Sequence, residues 1–317
     1  MMKTKQVLLI SLALFMPCVL SAQQEKAQRI IDELINTYEK QHVGVKDMKT
    51  VQDNAVIYEK WVKKDGETIY KWRKEEEIDG QRVVSLFDGE TYYTINPLTG
   101  AVEEKDDRNI NPLHFYEYLK TIGYTYAGKT DVDGKSCHVI KAEDVPLDKL
   151  AQMTAPESAK KQSQQQSGEQ EILMDMQIFV DGNDWVVPKI VTEIDGSEMG
   201  DDMSEMVSKV RSEVRNTDFR EVEGMLIAHK IIQTTQMKMT PKGQQQSAQM
   251  KEAMQSMKEE MADMPPEQKA MMESRMKARM GKGMQMMTGE KTETIKVVES
   301  VEVNTGLSDE LFDPDKL

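Results

Sequence analysis

The chain has 317 residues, with Lys+Arg 41 against Asp+Glu 55 and a formal net charge of −14. That much negative charge excludes a phosphate-backbone binder, which needs a basic face, so no nucleic-acid partner is expected. Hydrophobic residues at 38% and charged residues at 30% make a polar chain that still buries a core, roughly 75% of its unfolded surface at this length.

Met1–Ala22 reads as a secretory signal: Lys3 and Lys5 form the charged end and Val7 to Phe15 the apolar run. The run is shorter than the roughly 20 residues a bilayer span requires. Cys18 raises the alternative of a lipid anchor, but Met16 and Pro17 stand where small residues are needed. The expectation is a cleaved leader over residues 1–22 and a mature chain, 23–317, free in the periplasm. Cys137 is then the only mature cysteine, which excludes an internal disulfide and a Cys-based zinc site. In an oxidising compartment it should be buried as a small apolar residue.

Gln24 to His42 predicts an amphipathic helix, with Ile30, Ile31, Leu34, Ile35 and Tyr38 in one stripe and Gly44 ending it. From Asp53 the period becomes two. Ala55–Val62 and Thr68–Lys74 join through Lys64-Asp65-Gly66, a hairpin signal, with Tyr70 and Trp72 sharing a face opposite Lys71 and Arg73. Arg82–Phe87, carrying Val84 and Leu86, and Thr91–Ile95 flank Asp88-Gly89. Asn111-Pro112 predicts the start of a short helix bearing Phe115 and Leu119, stopped at Gly123. Strands resume at Tyr124–Ala127 and Ser136–Ala142, and residues 160–170 (KKQSQQQSGEQ) predict a flexible polar loop.

Glu171 to Val180 alternates most cleanly, with Ile172, Met174, Met176, Ile178 and Val180 on one face. Trp185–Ile194, an acidic loop over Gly196–Ser204, Lys209–Val222, Met225–Met239 and Thr292–Val303 follow. In the last, Ile295, Val297, Val301 and Val303 are assigned to one face. The fold class is mainly β with helices (α+β). Roughly ten or eleven antiparallel strands form a large curved sheet or unclosed barrel covered by helices.

The insert at 240–290 holds many of the 25 Met. Met250, Met254, Met257, Met261 and Met264 recur at spacings of four and three, which puts them on one helical face. Pro265-Pro266 breaks that helix, and Met272, Met276, Met280 and Met284 line a second, so a projecting αα-hairpin is expected. Such a seam can pack the helices together, offer an adaptable surface to lipid or protein, or bind Cu(I) through thioethers. No His or Cys lies in the insert, which places copper last.

No serine elbow, H-E-x-x-H or P-loop occurs. His42, His114, His138 and His229 lack metal-ligand spacing, and Cys137-His138 neighbour each other on a strand and so face opposite ways. Asp131 with Asp133, and Asp181 with Asp184, lie in hairpin turns that require them for geometry. The reading is a non-enzyme without cofactor or metal.

Phe87 to Gly100 (FDGETYYTINPLTG), Thr217 to Met225 (TDFREVEGM) and Val303 to Pro314 (VNTGLSDELFDP) carry a resemblance to the LolA/LolB-like outer-membrane lipoprotein-sorting family. It spans residues 24–104, 124–143, 171–239 and 292–314 and leaves out the Met-rich insert. The resemblance implies a half-barrel of residues 23–317 under lid helices, acting as a monomeric periplasmic carrier in a Gram-negative cell. The carrier would shelter acyl chains of lipoproteins or lipids between an inner-membrane donor and an outer-membrane acceptor. Candidate lining residues are Tyr70, Trp72, Val84, Leu86, Ile172, Met174, Met176, Ile178, Val180, Ile295 and Val297, with Ile31, Leu34, Ile35, Tyr38, Phe115 and Leu119 on the lids. The alternative is a periplasmic scaffold whose Met-rich hairpin binds a protein partner or, last, Cu(I).

Overall fold

The computed structural model describes residues 4–64, 66–78, 80–95, 100–105, 118–147, 172–262, 289 and 291–317. Thirteen strands form one open antiparallel sheet in the order β6-β5-β4-β3-β2-β1-β13-β12-β11-β10-β9-β8-β7. Every neighbour in that order is also a neighbour in sequence except β1 (Asp47–Gln52) and β13 (Thr292–Val303). The chain meanders outward from β1 to β6 (Val102–Lys105), restarts at the far edge with β7 (Thr125–Val132), and meanders back. The first and last strands therefore close the middle of the sheet. The seam is staggered along β13: Thr292 to Val297 pair with β12 (Met225–Met239), and Val298 to Val303 pair with β1.

Side chains reinforce the seam. Asp47, buried at the start of β1, accepts from the Thr305 N–H (2.7 Å), the Thr305 hydroxyl (3.0 Å) and the Gly306 N–H (3.2 Å). Asn304, at φ +56°, accepts from the Lys46 N–H and donates to the Gly44 carbonyl. These bonds turn the chain out of β13 and lay its tail across one face of the sheet. There the Lys60 ammonium and the Arg73 guanidinium donate to the Leu307 and Leu311 carbonyls, and Phe312 is buried.

Register assigns the two faces, because directly paired residues point the same way. On the helix face, Ile31, Leu34 and Ile35 of α1 (Thr4–Gln41) pack with Ile140, Ala142, Met174, Met176, Ile178 and Val180 from β8 (Lys135–Pro146) and β9 (Leu173–Asp181). On the outer face, Val132, Cys137, Val139, Phe179 and Val191 form a second cluster. Lys135 bridges Asp181 and Asp184 at 2.7 Å each, so the carboxylates of that turn are occupied by a lysine. Cys137 and His138 face opposite ways, and burial pushes the thiol up to about 11.

Two strands escaped the sequence reading. β1 (DMKTVQ) mixes polar and apolar residues on both faces, and β6 (VEEK) is a charged edge strand of the kind that resists further pairing. The segment read as an acidic loop holds a 3₁₀ turn, Gly196–Met199, capped by Asp195, and a helical turn at Asp201–Ser204. β10 starts at Lys189, after Trp185 at φ +53° and Pro188, rather than at Trp185. The predicted first helix ends where expected, but its start extends back to Thr4, through the expected cleavage point. No described helix is long and apolar enough to cross a membrane.

The insert opens as read from sequence. Thr240 caps helix α2 (Pro241–Ala262), its hydroxyl accepting from the Gly243 N–H, with Pro241 in the first turn. A Cβ on Gly243 would stand 2.0 Å from the Met206 carbonyl oxygen, so only glycine lets the helix start against this loop. The second helix of the expected hairpin, the Gln-rich stretch 160–170 and Phe115 lie outside the described residues, as do the side chains of Met254, Met257 and Met261.

Removing the Asp47 carboxylate should leave three donors unsatisfied at the seam. Asp47→Ala is expected to destabilise the protein by about 2–4 kcal/mol in urea unfolding, and a loss within about 0.5 kcal/mol would show the clamp to be dispensable. The Lys135 bridge sets a pH window. Burial alone would raise the Asp181 carboxyl, but bonds from Lys135 and the Asn183 N–H hold it below its ordinary 3.8. Burial likewise opposes Lys135, and its two carboxylate partners lift it above 10.5. The bridge stabilises above the unfolded aspartate value and below the unfolded lysine value. It is lost as pH falls through the depressed Asp181 value or rises through the elevated Lys135 value. The stability gap between wild type and Lys135→Met should be widest between those limits and shrink outside them.

A half-covered apolar face as candidate binding site

The helix face is not covered evenly. Over β8 and β9, α1 fills it: Met176, Ile178 and Val180 are 2% exposed or less, against Ile31 and Ile35 at 1% or less. Over the seam and the strands beside it, the same face carries apolar side chains only half-covered: Met48, Ile57, Trp61, Trp72, Val214, Ile231, Met237, Val301 and Val303. Register joins them. Trp61 pairs with Tyr70, Ile57 with Thr50, Thr50 with Val301 and Met48 with Val303. Across the seam, Ile231 lies opposite Asn216 and Lys296 on the same face, and Val214 pairs with Ile190.

The sequence-chosen lining residues thus divide into three groups. Tyr70 and Trp72 lie on this face. They join an aromatic cluster with Phe87, Tyr92 and Trp61, the Trp61–Tyr70 and Trp72–Tyr92 centroids standing 5.5 Å and 5.7 Å apart. Met174, Met176, Ile178 and Val180 also point this way, as core beneath α1; half-buried Ile172 precedes β9, and its carbonyl accepts from Leu147. Ile31, Leu34 and Ile35 form the underside of α1, and Leu119 joins the same core. Tyr38 stacks on His42 at 3.8 Å and lies near enough to Tyr70 to disfavour its ionisation.

Val84, Leu86, Ile295 and Val297 require correction. Trp72 pairs with Phe87, so Leu86, opposite Arg73, and Val84, opposite Glu75, point to the outer face. That face holds Arg73, which donates to Glu75 and the C-terminal tail. The inward residues of that strand are Val83, Ser85 and Phe87. In β13 the alternation slips: Val51 pairs with Ser300 but Gln52 with Val298, leaving Glu299 as an extra residue. A bulge of this kind moves the following side chains to the other face. Val301 and Val303 are inward, whereas Ile295 and Val297 are outward and 47% and 44% exposed. Their shared face, read from simple alternation, does not exist.

One acidic group sits within the aromatic cluster. Glu59 pairs across the strands with Trp72, and its Oε1 accepts from the Tyr70 hydroxyl at 2.6 Å. Burial raises the Glu59 carboxyl, and the Tyr70 bond offsets this only in part. Burial and the facing carboxyl push the Tyr70 hydroxyl well above its ordinary range. No set of three His, Cys, Asp or Glu among the described residues is arranged to hold a metal.

Fold and face together define a class: an open antiparallel meander with a helix seated on one face and a half-covered apolar strip beside it. Solved structures to which the chain is similar are LolA-superfamily, lipoprotein-sorting and DUF1329 proteins. A domain named for outer membrane lipoprotein sorting from Vibrio parahaemolyticus is 12% identical, at a TM-score of 0.44, over 92% of this chain and 98% of that one. A DUF1329 family protein from Desulfovibrio piger is 9% identical, at 0.45, over the same shares. A LolA superfamily protein from Nitrosomonas europaea is 8% identical, at 0.37, over 90% and 98%. No family model and no curated protein matches the sequence.

Because burial raises the Glu59 carboxyl, the folded state is penalised wherever the unfolded chain would be ionised. Below the ordinary glutamate value of 4.5 the penalty is absent; it grows as pH rises from there through the raised folded value. Glu59→Gln should therefore be at least as stable as wild type at pH 7, with its relative advantage shrinking as pH falls through the raised folded value and levelling off below 4.5. A variant less stable at pH 7 than at pH 3.5, each relative to wild type, would reverse the sign.

Proposed function

We propose that the protein is a non-enzymatic carrier that shelters acyl chains of lipids or lipoproteins on the helix face, working in the periplasm. The observation that carries this reading is the half-covered apolar strip running from the aromatic cluster across the seam to Val214 and Ile231. Apolar side chains left half-wet on one continuous face are a standing cost, and an acyl chain laid along them removes it. Each methylene kept from water contributes about 0.8 kcal/mol, so a long chain contributes several kcal/mol even if half-covered. α1 occupies the neighbouring part of the face, which leaves the seam side for cargo and makes the helix a wall of the site.

The bulge at Glu299 supplies an internal control, since Val301 and Val297 are four residues apart on one strand yet on opposite faces. Displacement of a fluorescent fatty acid should weaken at least tenfold in Val301→Glu, about 1.4 kcal/mol or more, and stay within twofold in Val297→Glu. Equal effects of the two changes, or no uptake by wild type, would remove the carrier reading.

A further inference from the structure

Two buried side-chain polar atoms among the described residues have no hydrogen-bond partner: Trp72 Nε1 and the Tyr124 hydroxyl. The first lies in the strip proposed to hold cargo. A buried N–H with no acceptor is a cost that native structures rarely leave standing without a purpose. Trp offers only this one donor and has no acceptor capacity of its own. Within the sheet, the acceptor directly across from it is the Glu59 carboxyl, which is already engaged by the Tyr70 hydroxyl at 2.6 Å. On the other side Trp72 pairs with Phe87, which has no polar side-chain atom. The Trp72 and Tyr92 ring centroids stand 5.7 Å apart, and the Glu59 carboxyl, although it has acceptor capacity beyond the Tyr70 bond, makes no hydrogen bond to the indole N–H.

The missing acceptor must be compact and uncharged. A ligand carboxylate or phosphate would sit beside Glu59 among aromatic rings, where its charge would be desolvated and face an acidic group. A carbonyl oxygen carries no such penalty, and an acyl chain brings one where it joins its head group. We infer that the Trp72 Nε1–H donates to the ester or amide carbonyl at the head of a bound acyl chain, fixing the depth at which the chain enters the strip. This rests on the carrier reading and adds to it a polar anchor and a preference among amphiphiles: acyl esters and amides over alkyl ethers of the same length.

The test uses two soluble probes, 1-monodecanoylglycerol and its alkyl ether 1-O-decylglycerol, each displacing a fluorescent fatty acid from the full-length protein. Wild type should bind the ester roughly five- to tenfold more tightly than the ether, the worth of one neutral hydrogen bond in a dry site. In Trp72→Phe that gap should close to within twofold, whatever affinity both probes lose together with the indole's apolar contact. A second measurement needs no variant: the Trp72 indole N–H resonance of wild type should move with the ester and stay in place with the ether. Equal affinity of wild type for both probes, a gap that survives in Trp72→Phe, or an unmoved resonance with the ester bound would each overturn the anchor while leaving the carrier reading intact. Failure of both probes and of the fatty acid to bind wild type would overturn the carrier reading, and the anchor with it.

Discussion

The pairing of the first strand with the last holds the two halves of this sheet together. β1 to β6 and β7 to β13 are each meanders in which strands adjacent in sequence pair, mostly through short turns, with longer connections after β8, β10 and β12. Only β1·β13 spans the chain, with partners such as Met48 and Val303. Closing so long a loop costs entropy that local hairpins do not pay, which is why this seam alone is fastened by a buried carboxylate and a left-handed Asn cap. The fastening has a second consequence. Asp47 and Asn304 direct the tail onto the outer face, where Arg73 and Lys60 hold it, and so keep the tail off the helix face.

The helix face is one surface with two fates. α1 brings Ala27, Ile30, Ile31, Leu34 and Ile35 down on β8 and β9, and there the face becomes ordinary core. The apolar stripe of α1 is one helix wide, and the sheet is thirteen strands wide, so the helix cannot cover the rest. What remains beside it includes Trp61, Trp72, Ile57 and Val301, as apolar as the covered part but half-wet. Cleanness of alternation thus says little about which residues the protein leaves half-covered. The most regular strand, Met174 to Val180, is the one most completely packed by the protein itself.

Much of the architecture was legible in the sequence because hairpins are local. Asp-Gly and Glu-Gly turns with flanking alternation located eleven strands, and the i, i+4 stripe located the packing face of α1. Strand β1 was not legible, since its six residues show no apolar face; it is a strand because β13 and β2 pair with it on either side. Site residues were legible only as far as the alternation stayed in phase. Tyr70 and Trp72 follow directly from their strand. Val84 and Leu86 look equally inward, because nothing local says that Phe87, and not Leu86, pairs opposite Trp72. Ile295 and Val297 were lost to one extra residue, Glu299, which changes no composition and carries no turn signal.

That single bulge bears on function as well as on register. Without it, β13 would carry Ile295, Val297, Val301 and Val303 on one side of the sheet. With it, Val301 and Val303 join Met48 and Thr50 on the helix face, while Val298, Lys296 and Thr294 continue that face toward β12. The apolar strip therefore narrows at Lys296 and Thr294, next to Gln233, and continues past them through Ile231 and Val214 as single apolar positions among polar neighbours. Under the proposed reading, an acyl chain lying along the strip would gain most between the aromatic cluster and the seam, and less beyond Lys296, where polar groups alternate with Ile231 and Val214. On the proposed carrier reading, chain length along this face would be limited where the bulge hands the strip over to polar residues, and a head group would meet the end that carries Glu59, Tyr70 and Trp72.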